Sequence, residues 1–193
     1  MNISPSSKPP AKNGAIGSAG ANSFIYGVLA TVILGVCAAG IVIFTGMFNV
    51  GADVPDSGFA KLLFMVARNR SIETRLGDIV APDLTDQTLI AHGAKLYAEN
   101  CEKCHLGPGV KVTDLVSGLN PMPPNFSKQK HIDSVKQFWV IKHGIKATAM
   151  PNWGRSFDDS TIWSLVAFVD QLPKLDENQF QKLTANNSPQ PSN

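Results

Sequence analysis

The sequence predicts an all-α chain: one helix long enough to cross a membrane, followed by a small helical domain. Three observations carry this. The 25 residues Phe24–Phe48 are uncharged and mostly apolar. No charged residue occurs between Lys12 and Asp53. Beyond them, helix caps and 3.6-residue apolar spacing recur, and no strand alternation or internal repeat stands out. Only 17% of the 193 residues are charged, against about 25% in soluble domains, and the charge-free stretch explains the deficit. Removing it leaves roughly 140 residues, enough for one domain of about 100 plus connectors. A large multidomain enzyme is excluded. Three Cys and a net charge of +2 also exclude a disulfide-rich scaffold and a strongly basic nucleic-acid binder.

Taken in order, residues 1–23 are Ser, Pro, Gly, Ala and Asn with little to bury, and are expected to form a disordered cytoplasmic tail. Residues 24–48 form the span: about 37 Å as a helix, against roughly 30 Å of hydrocarbon. Tyr26 and Phe48 suit its two interfaces. Lys8 and Lys12 precede it with no acid among the first 23 residues, which puts the N-terminus inside and the rest of the chain outside. The expected location is a bacterial inner membrane, crossed once, with a periplasmic domain. A cleaved signal peptide is the competing reading, but its apolar region runs only about 7–15 residues. Val36 is too bulky for a lipoprotein site before Cys37, which reads as an inert thiol. Gly27, Thr31, Gly35 and Ala39 recur every fourth residue, a smooth face on which another membrane helix can pack.

Residues 49–82 form a juxtamembrane linker. Gly51 to Gly58 reads as a turn, and Phe59–Arg75 as a helix closed by Gly77, apolar in its first half and basic in its second. That pattern suits a helix on the membrane surface or against a partner. The domain proper spans 83–176 and holds three main helices. The first is capped by Asp83 or Thr85 and runs through Leu89, Gly93 and Tyr97 towards Cys101. The second starts at Asp133 or Ser134, where Ser134-Val-Lys-Gln137 has capping-box form, and stops at Gly144. The third starts at Asp158 or Asp159, is apolar at Ile162, Leu165, Val166 and Val169, and ends before Pro173. Leu106–Lys130, between the first two, is a long loop rich in Gly and Pro. Residues 177–193 are expected to be a C-terminal tail. Loops this long for the domain's size require something other than side chains at its centre.

Cys101-Glu-Lys-Cys104-His105 suggests what that is. C-x-x-C-H is the attachment pattern of c-type haem, in which two thiols bond the vinyl groups and the next His ligates iron. Export past the membrane agrees with that chemistry. A thioredoxin-like redox pair needs a βαβ context that is missing, and a zinc site needs four ligands that the remaining Cys and His do not supply. One covalent haem c is therefore expected. For the sixth iron position Met150, in Ala147-Thr-Ala-Met150-Pro151, is the leading candidate. Met122, in a proline-rich run only 17 residues after His105, is its rival, and His92, His131 or His143 would give bis-His ligation. His143 near a helix C-terminus has a simpler role opposite that end's partial negative charge.

From about Leu84 to Leu175 the chain resembles a class I monohaem cytochrome c, on the strength of Cys101/Cys104/His105, Ile141-x-x-Gly144 … Met150-Pro151 and a closing helix with aromatics. The resemblance implies the cytochrome c fold, with three main helices around a covalently bound haem. It implies crossed first and last helices, with Gly93 and Tyr97 facing Trp163, Val166 or Phe168. It also implies His105 and Met150 as iron ligands, and a proline carbonyl, Pro124, accepting from the axial His ring. Trp153 and Arg155 are implied more loosely as haem-propionate contacts. Where the family commonly has Gly directly after the motif, this chain has Leu106, with Gly107 next.

His/Met ligation leaves no open iron position and suits single-electron transfer. Residues 95–155 carry nine Lys/Arg against four acids, net +5, whereas 53–94 carry −2 and 156–193 carry −3. A basic haem-binding portion suits an acidic redox partner. The expected function is electron transfer in a respiratory chain, from a quinol-oxidising complex or dehydrogenase to a terminal oxidase, as a fixed subunit or a tethered shuttle. The alternatives are the haem subunit of a periplasmic dehydrogenase, a sensor or enzyme with a displaceable sixth ligand, and an assembly subunit whose haem only stabilises the fold.

Overall fold

The computed structural model describes residues 18–47, 49–129 and 133–185. These are helices and loops, with no strand among the described residues. They divide into two compact units, with the boundary between Val50 and Gly51. The expected tail falls outside the described residues up to position 17, as do Phe48, His131 and the chain beyond 185.

In the first unit, α1 spans Ser18–Phe44. It contains one stretch long and apolar enough to cross a membrane, Asn22–Phe44, with a mean hydropathy of 2.6. The helix starts before the expected boundary at Phe24, because the small residues ahead of it contain no proline and nothing breaks the turn. It ends at Phe44, where Gly46 takes φ +69°. The Thr31 hydroxyl donates to the Gly27 carbonyl at 2.9 Å, so its polar group needs no water.

The second unit starts with α2, Gly58–Glu73, capped by the Ser57 hydroxyl accepting from the Ala60 N–H. Ile72 near its end is buried, and the helix packs against α6 (Ser134–His143). Three helices then form the core: α3 (Gln87–Asn100), α6 (Ser134–His143) and α7 (Asp159–Gln171). Between α3 and α6 lie two single-turn helices, α4 (Glu102–His105) and α5 (Asp114–Ser117). The first cap is neither Asp83 nor Thr85. Asp83 instead accepts from Thr85 N in a local turn, and Asp86 caps α3 by accepting from Thr88 N at 2.8 Å. Asp133, not Ser134, caps α6 by accepting from Val135 N and Lys136 N. Gln137 is thereby excluded from a capping box, and its amide is buried without a partner.

The tightest element of the core is the crossing of α3 and α7. A Cβ on Gly93 would stand 1.9 Å from the Ser164 carbonyl oxygen and 2.9 Å from the Phe168 Cβ, so only glycine permits this approach. Tyr97 and Phe168 pack beside it with ring centroids 5.3 Å apart. Trp163 takes a different partner: it stacks on Phe138 of α6 at 4.2 Å, in a second cluster with Ile162 and Val166.

The C-terminal segment departs from the expected tail. Residues Glu177–Ala185 form α8, which packs on α3. Phe180 is buried in the main core with Tyr97 and Phe168. The segment is polar on average, and only Phe180, Leu183 and Thr184 turn inward. That stripe is too sparse to register as a core helix in sequence.

Candidate haem site

α3 ends at Cys101, whose backbone N–H still donates to Tyr97 O at 2.9 Å. The single turn α4 then places Cys101, Cys104 and His105 on consecutive hydrogen bonds, Cys104 N to Cys101 O at 3.1 Å and His105 N to Cys101 O at 2.8 Å. Both thiols are free and half-buried. Burial, with a smaller push from the neighbouring Cys104, raises the Cys101 thiol to about 12. Leu106 ends the turn with φ +60°, and it is buried, its carbonyl accepting from the Tyr97 hydroxyl. The left-handed position thus falls on the leucine that stands where glycine is common. Gly107 answers a packing need instead: a Cβ there would lie 2.4 Å from the Phe180 ring.

His105 is held on two sides. Its Nδ1 lies 3.0 Å from the Pro124 carbonyl oxygen, and its ring stacks on Phe126 at 4.7 Å. Desolvation lowers its pKa, only partly offset by the Pro124 bond. The ring is therefore neutral at pH 7, donating from Nδ1 and leaving Nε2 with a free lone pair. Phe126 was not legible as a site residue. The Asn125 side chain accepts from Ser127 N at 3.0 Å and sets the turn that carries the phenylalanine.

Met150 sits half-buried in the loop between α6 and α7. Gly144 caps α6 at φ +66°, and a Cβ there would meet Pro151 at 2.7 Å. Ile145 N donates to Met150 O at 3.2 Å. The Thr148 hydroxyl donates to Ile145 O at 2.7 Å and accepts from Met150 N at 3.1 Å. These bonds pin the methionine backbone through Thr148, a residue that spacing did not single out. By contrast, Met122 is exposed.

The other expected contacts are dispersed. Trp153 is half-buried and stacks on Phe157 at 5.3 Å. Arg155 is exposed and forms no ion pair among the described residues. His92 lies 3.3 Å from the Ser164 hydroxyl, and His143 closes α6 beside Trp139. No cluster of three His, Cys, Asp or Glu suited to a metal ion occurs among the described residues.

This donor set fits a c-type haem: two thiols one turn apart, an imidazole anchored through Nδ1, and a thioether on a pinned loop. Residues 88–169 match the family model described as cytochrome c oxidase, cbb3-type, subunit III. This part of the chain is a c-type cytochrome domain. Its family implies haem c and haem-based electron transfer with redox partners. The match begins inside α3 and stops within α7, so α1, α2 and α8 lie outside it. Comparison with curated proteins and with solved structures returned no significant match.

Proposed function

We propose that this protein is a membrane-anchored, periplasmic electron carrier of a respiratory chain, whose single covalent haem is ligated by His105 and Met150. When bound, the haem supplies a one-electron couple of comparatively high potential. Cys101 and Cys104 hold it through thioether bonds. Pro124 and Phe126 fix the His105 ring, and the Gly144–Pro151 loop presents the Met150 sulfur. The observation that carries this reading is the His105–Pro124 bond of 3.0 Å. It selects the tautomer whose Nε2 is free, the state an axial ligand needs. Trp153 and Arg155 are assigned to the propionate side. The likeness to a cbb3-type oxidase subunit supports delivery to a terminal oxidase, with a quinol-oxidising complex or dehydrogenase as donor.

The test is the ferric absorption spectrum of the full-length holoprotein and its Met150→Ala variant. The parent shows a sulfur-to-iron charge-transfer band and does not bind CO when reduced. The variant loses the band and binds CO. A parent without the band, or one that binds CO readily, overturns the ligation and favours a sensor or enzyme.

A further inference from the structure

Resting on the membrane-anchor reading, we propose that the N-terminal half of α2 is a second membrane contact, seated in the interface of an anionic bilayer. The helix changes character along its length. Its C-terminal end belongs to the cytochrome unit: Ile72 is buried at 3% exposure, and α2 packs against α6. Along its first turns the large apolar side chains are exposed among the described residues. Phe59 and Phe64 are 76% and 63% exposed, and Leu62, Leu63, Met65 and Val66 are exposed with them. An apolar surface of this kind requires cover.

Three features identify lipid as the cover. Phe59, Leu62, Leu63 and Val66 follow i, i+3, i+4, i+7 spacing and form one stripe, while Lys61 and Arg68, seven apart, run along the opposite side with Phe64 and Met65 flanking them. A continuous apolar stripe backed by basic residues is the pattern of a helix lying in the headgroup region, with the long cations reaching outward. Second, residues 58–75 carry Lys61, Arg68, Arg70 and Arg75 against Glu73 alone, net +3. That charge suits anionic headgroups and opposes self-association of two copies. Third, the chain enters α2 only a short connector, residues 45–57, after the apolar span ends. The bilayer that holds α1 is thus the apolar medium within the chain's reach. With its far end docked on α6, α2 restrains the cytochrome unit at the membrane surface and removes the freedom of a loosely tethered shuttle.

The experiment uses the full-length holoprotein, reduced, in a Cys37→Ser background. Nitroxide labels are placed singly by Leu63→Cys, Val80→Cys and Val36→Cys, with the haem spectrum confirming the fold. In vesicles of mixed zwitterionic and anionic lipid, collision with oxygen is compared with collision with a water-soluble nickel chelate. The label at 63 should favour oxygen at least tenfold more than the label at 80, and this preference should fall when anionic lipid is omitted. Equal nickel access at 63 and 80 overturns the proposal, because the stripe is then in water. Protection of 63 from both reagents also overturns it, and assigns the stripe to a protein partner or a second copy. The label at 36 reads the anchor independently, so failure of the span and failure of the α2 contact give different patterns.

Discussion

The imidazole Nδ1 of His105 stands 3.0 Å from the carbonyl oxygen of Pro124. Eighteen residues lie between the two, in a loop that holds the Thr113 cap on α5 and the prolines around Met122, with the Asn125 turn just beyond. The bond orients the ring and makes it a better electron donor to a ligated metal.

Pro124→Gly keeps the carbonyl but frees the backbone that aims it. The reduction potential of the holoprotein should rise by about 60 mV, a tenfold loss in relative affinity for the ferric state. Potentiometric titration reads this directly, and an unchanged potential would show that the bond does not tune the iron.

Gly93→Ala should cost about 1–3 kcal/mol or more, because the new Cβ cannot be accommodated unless α3 and α7 move apart. Gly58→Ala is the control, since nothing lies within 4 Å of its Cβ position. Denaturant unfolding of the holoprotein should separate the two variants clearly. Equal midpoints would mean that the crossing is looser than described.

Phe180→Ala should destabilise by about 3–5 kcal/mol, the usual cost of emptying a buried phenylalanine site. The ring fills space between Gly107, Tyr97 and Phe168, so the loss should also loosen the turn after the haem motif. A melting curve that matches the parent would return residues 177–185 to the status of a tail.

Acid sensitivity should arise in part from Asp86 and Asp158. Both are held below the usual 3.8, Asp86 by Thr88 and Asp158 by Thr161 with help from Ser160. A carboxylate with a lowered folded pKa contributes stability above its unfolded pKa and loses it as pH falls through the folded value. Stability should therefore be insensitive to these groups from pH 7 to about 5 and decline below about 4. Asp86→Asn with Asp158→Asn keeps both caps, and should flatten that decline by at most about two protons. Identical acid limbs would exclude the mechanism.

Much of this was legible in the chain. The span, α2, α6 and α7 follow from apolar spacing and caps, and Cys101, Cys104 and His105 from one local motif. The Gly93 approach and the Tyr97 packing followed from resemblance. What escaped depends on how individual loops fold and on contacts between distant segments. Phe126 is one aromatic among ten Phe until the loop folds it onto His105, and Thr148 resembles any loop threonine until its hydroxyl bonds Ile145 O and Met150 N. Phe180 lies in a mostly polar stretch, and its burial requires Gly107 to leave it room.

The sequence by itself determined the class of the protein: a helical chain with one apolar helix long enough to cross a membrane and a haem-attachment motif. Those features are encoded within a few turns of chain, where the 3.6-residue period and a five-residue pattern suffice. Only the tertiary structure decided which ring lies against His105 and that residues 177–185 close the core. These are long-range contacts, and their partners are selected by shape and distance in three dimensions. It also divided α2 into an end docked on the domain and an apolar end left open, a distinction that burial alone makes.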